Sequence, residues 1–100
     1  MRGVDLTHPD LIANLVPGFD ATGNNTAGGS LVGEDHGAAC AGIIAALKDN
    51  GIGVSGVAPK CALVPIHASF DDSQTSQWLA DGLEWTWNPS FGNADVISNS

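Results

Sequence analysis

The residues of this sequence best suited to chemistry stand together at Glu34-Asp35-His36-Gly37. A histidine whose ring stays neutral can take a proton from a nucleophile, the role of a general base. The run after it, Gly37-Ala38-Ala39-Cys40-Ala41-Gly42-Ile43-Ile44-Ala45-Ala46, is small, apolar and uncharged. Ala, Ile and Leu favour helix and no proline interrupts before Lys48, so a helix is expected over residues 35–48. His36 then sits at its N-terminus, where outward N–H groups set up a positive potential that favours the neutral ring. Because the run is apolar all round, the helix is expected to be buried on most faces. Ala38, Ala41, Gly42 and Ala45 would let neighbouring backbones come close. Asp35 directly precedes His36 and is poorly placed to orient its ring.

Other reactive side chains read as structural. Cys40 and Cys61 belong to no Cys-x-x-Cys pair, which leaves a zinc site without support. Two buried thiols are expected, with a disulfide as the alternative. His8 is read as a structural histidine beside a turn. His67, near the end of an apolar run, could line a cleft, but a partly buried core position is the expectation. The tryptophans are read as core packing.

The elements that must position His36 follow from pattern and composition. Hydrophobic residues make up 43% of the 100 residues and charged ones 14%, which fits one small domain with a core, residues 1–100, and argues against disorder. The net charge of -8 argues against a nucleic-acid surface, and no apolar stretch is long enough to cross a bilayer. No secretory signal is visible, and the opening Met1-Arg2-Gly3-Val4 reads as a cut edge. Residues 5–14 read as a turn into a short helical segment, 14–20 as an edge strand carrying Pro17, and 21–34 as a surface loop. After the helix at 35–48, Gly51 to Pro59 is a glycine-spaced loop and 62–68 a buried parallel strand. Ser73 is a fair N-cap for a helix over 74–87, stopped by Asn88-Pro89, and 94–100 reads as a further strand. Strands alternating with helices suggest a parallel α/β sheet.

Three collinear blocks now carry a resemblance. Gly3-Val4-Asp5-Leu6-Thr7-His8-Pro9-Asp10-Leu11, His36-Gly37-Ala38-Ala39-Cys40-Ala41-Gly42, and Gly51-Ile52-Gly53-Val54-Ser55-Gly56-Val57-Ala58-Pro59 resemble, in order and spacing, blocks of the subtilisin-like serine proteases. Ala94-Asp95-Val96-Ile97-Ser98-Asn99-Ser100 resembles a later strand of that family. The resemblance covers nearly the whole chain but only the N-terminal part of the family's catalytic domain. It implies an α/β, partial subtilisin-like three-layer fold with a mainly parallel sheet, truncated at both ends.

By resemblance, His36 matches the family's catalytic base. The triad acid would stand at Met1, where a thioether can neither accept the imidazole N–H strongly nor balance its charge. The nucleophilic Ser block and the oxyanion Asn of the family lie beyond Ser100. Ala38 stands where the family has Thr. The resemblance also implies substrate contacts at Ala68, Ser76 and Leu79. It implies a calcium site from Asp10, the Leu47 carbonyl, Asp49 or Asn50, and the Ile52 and Val54 carbonyls, an all-oxygen set that suits the ion. No other cofactor is required. In the resembled fold a strand preceding Met1 lies between residues 62–67 and 94–100. Its absence here predicts exposed apolar sheet edges and a homo-oligomer.

The reading is therefore a piece of a secreted or extracellular serine endopeptidase acting on peptides or proteins, inactive alone. The alternative is a non-catalytic α/β binding or interaction module derived from such a protease. A third reading, an enzyme of another class, would pair His36 with Asp35 or Glu34.

Overall fold

The computed structural model describes residues 2–23, 26–68 and 75–99. Along the chain run a 3-10 turn at Ile12–Asn14, strand β1 at Phe19–Asp20, helix α1 at His36–Ala45, strand β2 at Ile66–His67 and helix α2 at Thr75–Trp87. β1 and β2 pair in parallel, with Phe19 opposite Ile66 and Asp20 opposite His67. Isolated bridges extend the pairing: Leu15 to Leu63 in parallel, Val4 to Gly29 in parallel, and Arg2 to His67 antiparallel. The α/β class and parallel sheet hold, although the sheet is small.

Three expectations need correction here. The strand expected over 62–68 forms a ladder only at Ile66–His67, because Pro65 has no N–H to give, and the pairing at Leu63 is an isolated bridge. Residues 94–99 form no strand; they run without a ladder partner among the described residues, and Val96 is 86% exposed. The segment 21–34 is not wholly a surface loop. Gly28 and Gly29 are buried, the Val4 N–H donates to the Gly28 carbonyl at 2.9 Å, and the Ser30 N–H donates to the Val4 carbonyl at 3.0 Å. Gly28 has a positive φ of 90° and a Cβ there would collide with the Pro65 carbonyl, so only glycine lets this stretch thread the interior.

Helix α1 begins at His36 as expected but stops at Ala45, before Lys48. The backbone N–H groups of Val57, Ala58 and Gly56 donate to the carbonyls of Ile43, Ile44 and Ala46, and so take up the helix's C-terminal acceptors. The Asn14 side-chain amide adds donors to the Ala45 and Pro59 carbonyls, each at 2.8 Å. The helix is also less covered than its composition suggests. Ala41 and Ala45 are buried, whereas Ile43 is 68% exposed. Its cover comes from one side, where Val4, Leu11, Ala41 and Ala46 form a cluster flanked by Leu15 and Leu63.

Helix α2 buries Gly82 and Thr86, and the Thr86 hydroxyl donates back to the Gly82 carbonyl at 2.6 Å. Trp85 lies stacked between Phe19 of β1, 5.2 Å away centre to centre, and Phe91, 6.0 Å away. That packing bears out a core role for Trp85, but Trp87 is largely exposed. The N-cap expected at Ser73 lies outside the described residues. Cys40 and Cys61 are half-buried thiols rather than a disulfide.

Candidate active site

His36 is the first residue of α1, and its side chain is exposed. Asp35, at the N-cap, makes no side-chain capping bond, and among the described residues it makes none to the ring either. The ring's polar neighbour is Cys40 one turn later, with Sγ 3.9 Å from Nε2 and 4.0 Å from Nδ1. Near-equal separation from both nitrogens means that neither N–H direction points squarely at sulfur. The ring lines a cavity of about 820 Å³ together with Arg2, Ile44, Leu63 and Ile97. The backbone around it is tightly set, because a Cβ on Gly37 would collide with the carbonyl oxygen of Gly3. Glycine at 37 lets the start of α1 abut the 2–4 segment, while a Cβ on Gly3 would meet Gly29. Met1, matched to the triad acid, lies outside the described residues.

The pairing of His36 with Glu34 does not occur. Glu34 Oε2 accepts the Leu31 N–H at 3.0 Å and faces Nε2 of His67 at 2.9 Å. Asp35 stands no better, so the third reading loses its acids.

His67 is where the structure differs most from a sequence reading. It is fully buried. Its Nδ1 lies 3.1 Å from Asp20 Oδ1, and its Nε2 faces Glu34. Asp20 also accepts the N–H and hydroxyl of Thr22 at 2.8 and 2.5 Å, and those of Thr26 at 3.0 and 2.7 Å. Burial pushes the Asp20 carboxyl up, but the bonds from Thr22, Thr26 and His67 outweigh it and hold the group well below the usual carboxylate range. For Glu34, burial again raises, while the Leu31 N–H, His67 and the charge of Arg2 together lower. Core placement of His67 is borne out, but its two carboxylate partners were not foreseen. The one local signal was the Asp20-Ala21-Thr22 sequence, which suits a side-chain-to-backbone turn.

The residues matched to substrate contacts stand apart from the cavity beside His36. Ala68 is buried just after β2, while Ser76 is exposed and Leu79 half-buried on the first turns of α2. None of the three lines that cavity.

The residues matched to calcium ligands do come together, around Asp10, which is 2% exposed. Asp10 Oδ1 accepts the Asn50 amide at 2.7 Å and Oδ2 accepts the Val54 N–H at 3.1 Å. The Asp10 carbonyl accepts the Leu47 N–H at 2.9 Å, and the Ile52 N–H points to Asn50 Oδ1 at 3.4 Å. Asp49, exposed, makes the turn at a positive φ of 59°. The loop thus meets Asp10 with N–H donors where a cation needs oxygens, so this arrangement does not fit the ion. Among the described residues no group of three or more His, Cys, Asp or Glu side chains is placed to hold a metal.

Comparison with known proteins bears on the family of the chain. The model of the Subtilase family matches residues 2–100. Thermitase from Thermoactinomyces vulgaris is 37% identical over 98 residues, which cover 98% of this chain and 34% of thermitase. Subtilisin from Bacillus pumilus is 38% identical over 100 residues, covering 98% of this chain and 34% of that protein. Subtilisin BL from Lederbergia lenta is 40% identical over 99 residues, covering 94% and 34%. The chain spans about a third of the length of these relatives. No solved structure matches. A histidine opening an apolar helix, a parallel strand pair and a family match over residues 2–100 lead to one conclusion: the chain belongs to the subtilase family.

Proposed function

We propose that this chain carries the general-base portion of a subtilisin-like serine endopeptidase and does not cleave peptides by itself. The observation that carries the reading is the state of His36. The ring is exposed at the helix start, where it can reach a substrate, yet among the described residues no carboxylate orients it. In triad chemistry the base takes the serine's proton and later returns it to the leaving amine, while an acid fixes its tautomer and steadies its charge. His36 suits the first task, and the nucleophile and oxyanion donors have no counterpart in these residues. In this reading Ala68, Ser76 and Leu79 contact the residues before the scissile bond. Peptides or proteins are the substrates of the whole enzyme, and it acts outside the cell.

Calcium in this reading is at most a weak ligand near Asp10, since binding would require the Asn50 amide to reverse and the Val54 N–H to withdraw. Self-association through exposed edges is part of the same proposal. Residues 94–99 have no ladder partner among the described residues, and Val32, Ile43, Val57 and Val96 present apolar surface. Light scattering behind a sizing column should give a mass above that of one chain; a compact monomer would count against this part.

The test of the main proposal is turnover of a chromogenic peptide by the pure chain. No turnover above background is expected, because removing triad members costs several powers of ten in rate. Turnover that disappears in His36→Ala would overturn it.

A further inference from the structure

His67 holds together three pieces of chain that are distant in sequence. It lies on β2 and is fully buried; Asp20 lies on β1, and Glu34 lies on the segment that enters α1, two residues before His36. The side chain of Asp20 is 3% exposed and that of Glu34 11%, so water does little to solvate either carboxylate. An imidazole with one ring proton can donate to one of them and must turn a lone pair toward the other. With both nitrogens protonated it donates to both and supplies the positive charge that two buried anions need.

The remaining surroundings leave the ring in that role. The Thr22 hydroxyl lies 3.4 Å from Nδ1 but is already directed to Asp20. Arg2 bridges His67 through the backbone, and its charge acts on Glu34. Helix α2 also packs on β2, yet among the described residues its acids Asp81 and Glu84 make no hydrogen bond or ion pair with the ring.

We propose that His67 is a pH-sensitive clasp, closed when both ring nitrogens carry protons, that fixes the segment entering α1 against the β1–β2 pair. His67 is then a positioning residue for His36, a consequence that rests on the general-base reading; the clasp itself does not. Loss of one ring proton leaves Asp20 or Glu34 facing a lone pair in the interior. The stabilisation therefore depends on the ring keeping both protons.

The experiment follows the whole chain between about pH 5.5 and about pH 8.5, which spans the usual range of imidazole titration. Nitrogen NMR of the ¹⁵N-labelled wild type reads the ring directly. Two protonated nitrogens are expected for His67 at the lower pH. Thermal melting is compared for wild type, His67→Lys and His67→Gln. Lysine keeps a cation that does not titrate in this window, and glutamine keeps a donor without charge. His8 and His36 are common to all three proteins, so their titration cancels in the comparison. The wild type should lose roughly 5 °C or more relative to His67→Lys as the pH rises. His67→Gln should melt low throughout. A His67 ring with one bare nitrogen at the lower pH would overturn the proposal, as would parallel profiles for wild type and His67→Lys. If neither variant folds, the wild-type ring spectrum alone decides. Peptide turnover enters none of these measurements, so the general-base reading and the clasp fail separately.

Discussion

Glu34 and His36 are two residues apart and stand in opposite surroundings. Glu34 turns inward to a buried histidine that also meets Asp20, and among the described residues no fully buried side-chain polar atom lacks a partner. His36 turns outward into a cavity lined mainly by apolar side chains, with a thiol as its polar neighbour. The first arrangement is complete within these residues; the second holds a reactive group in place without the groups that would use it. A buried charge must be matched by the chain that buries it, because the interior offers no solvent to compensate. An exposed histidine is under no such demand, because water solvates its ring. The same segment therefore serves two ends, anchoring through Glu34 and presenting through His36.

The largest break in this comparison should come from Asp20→Ala, which leaves buried His67 with Glu34 alone and strands the Thr22 and Thr26 donors. A loss of about 3–5 kcal/mol is expected, read by urea denaturation, and a change under about 1 kcal/mol would show that the cluster carries little stability. Acid should do the same reversibly. The carboxyls of both Asp20 and Glu34 are held below their ordinary values in the fold. Their contribution is thus complete above the unfolded carboxylate range and lost as the pH falls through the lower folded values. Melting temperature should hold steady from this source above about pH 5 and decline below about pH 4; a flat acid limb would contradict the pairing.

Gly37→Ala probes the other side. Its Cβ would meet the Gly3 carbonyl, so the start of α1 must back away from the 2–4 segment. A cost of about 1–3 kcal/mol is expected, with shifted amide signals around His36 and little change around His67. Asp10→Ala removes the acceptor of the Asn50 and Val54 donors and should cost about 1–3 kcal/mol, equally in calcium and in chelator. A calcium-dependent melting shift in the wild type, absent from this variant, would show that the loop can turn its oxygens inward. Ile43→Ser should have the smallest effect, within about 0.5 kcal/mol, because the side chain it replaces is mostly in water. A larger loss would mean that the outer face of α1 is covered in solution.

Much of the frame was legible from residue types alone. The apolar run after His36 and the 74–87 pattern marked both helices, because each needs only contiguous residues of suitable propensity. Alternating elements indicated the parallel sheet, and the blocks around Asp10, His36 and Gly53 indicated the family. The burial of α1 was not legible, since composition says what a face would tolerate and only neighbouring elements say what covers it. The strand expected at 94–100 failed for a related reason. A β-prone segment forms a ladder only where another strand presents free N–H and C=O groups at the right spacing.

By itself the sequence determined that His36 stands at a helix start, because it opens a proline-free apolar run of good helix formers. The opposite outcomes for two histidines were a tertiary decision. His36 follows Glu34-Asp35 and opens a small apolar run, whereas His67 stands between Ile66 and Ala68, and neither set of neighbours names the acids that meet the buried ring. His67 became the buried partner of two acids because parallel pairing set Asp20 opposite it, and the segment entering α1 brought Glu34 to its other nitrogen. Contacts across 47 and 33 residues depend on register and on how the chain returns, and neither is written in the spacing of nearby residues.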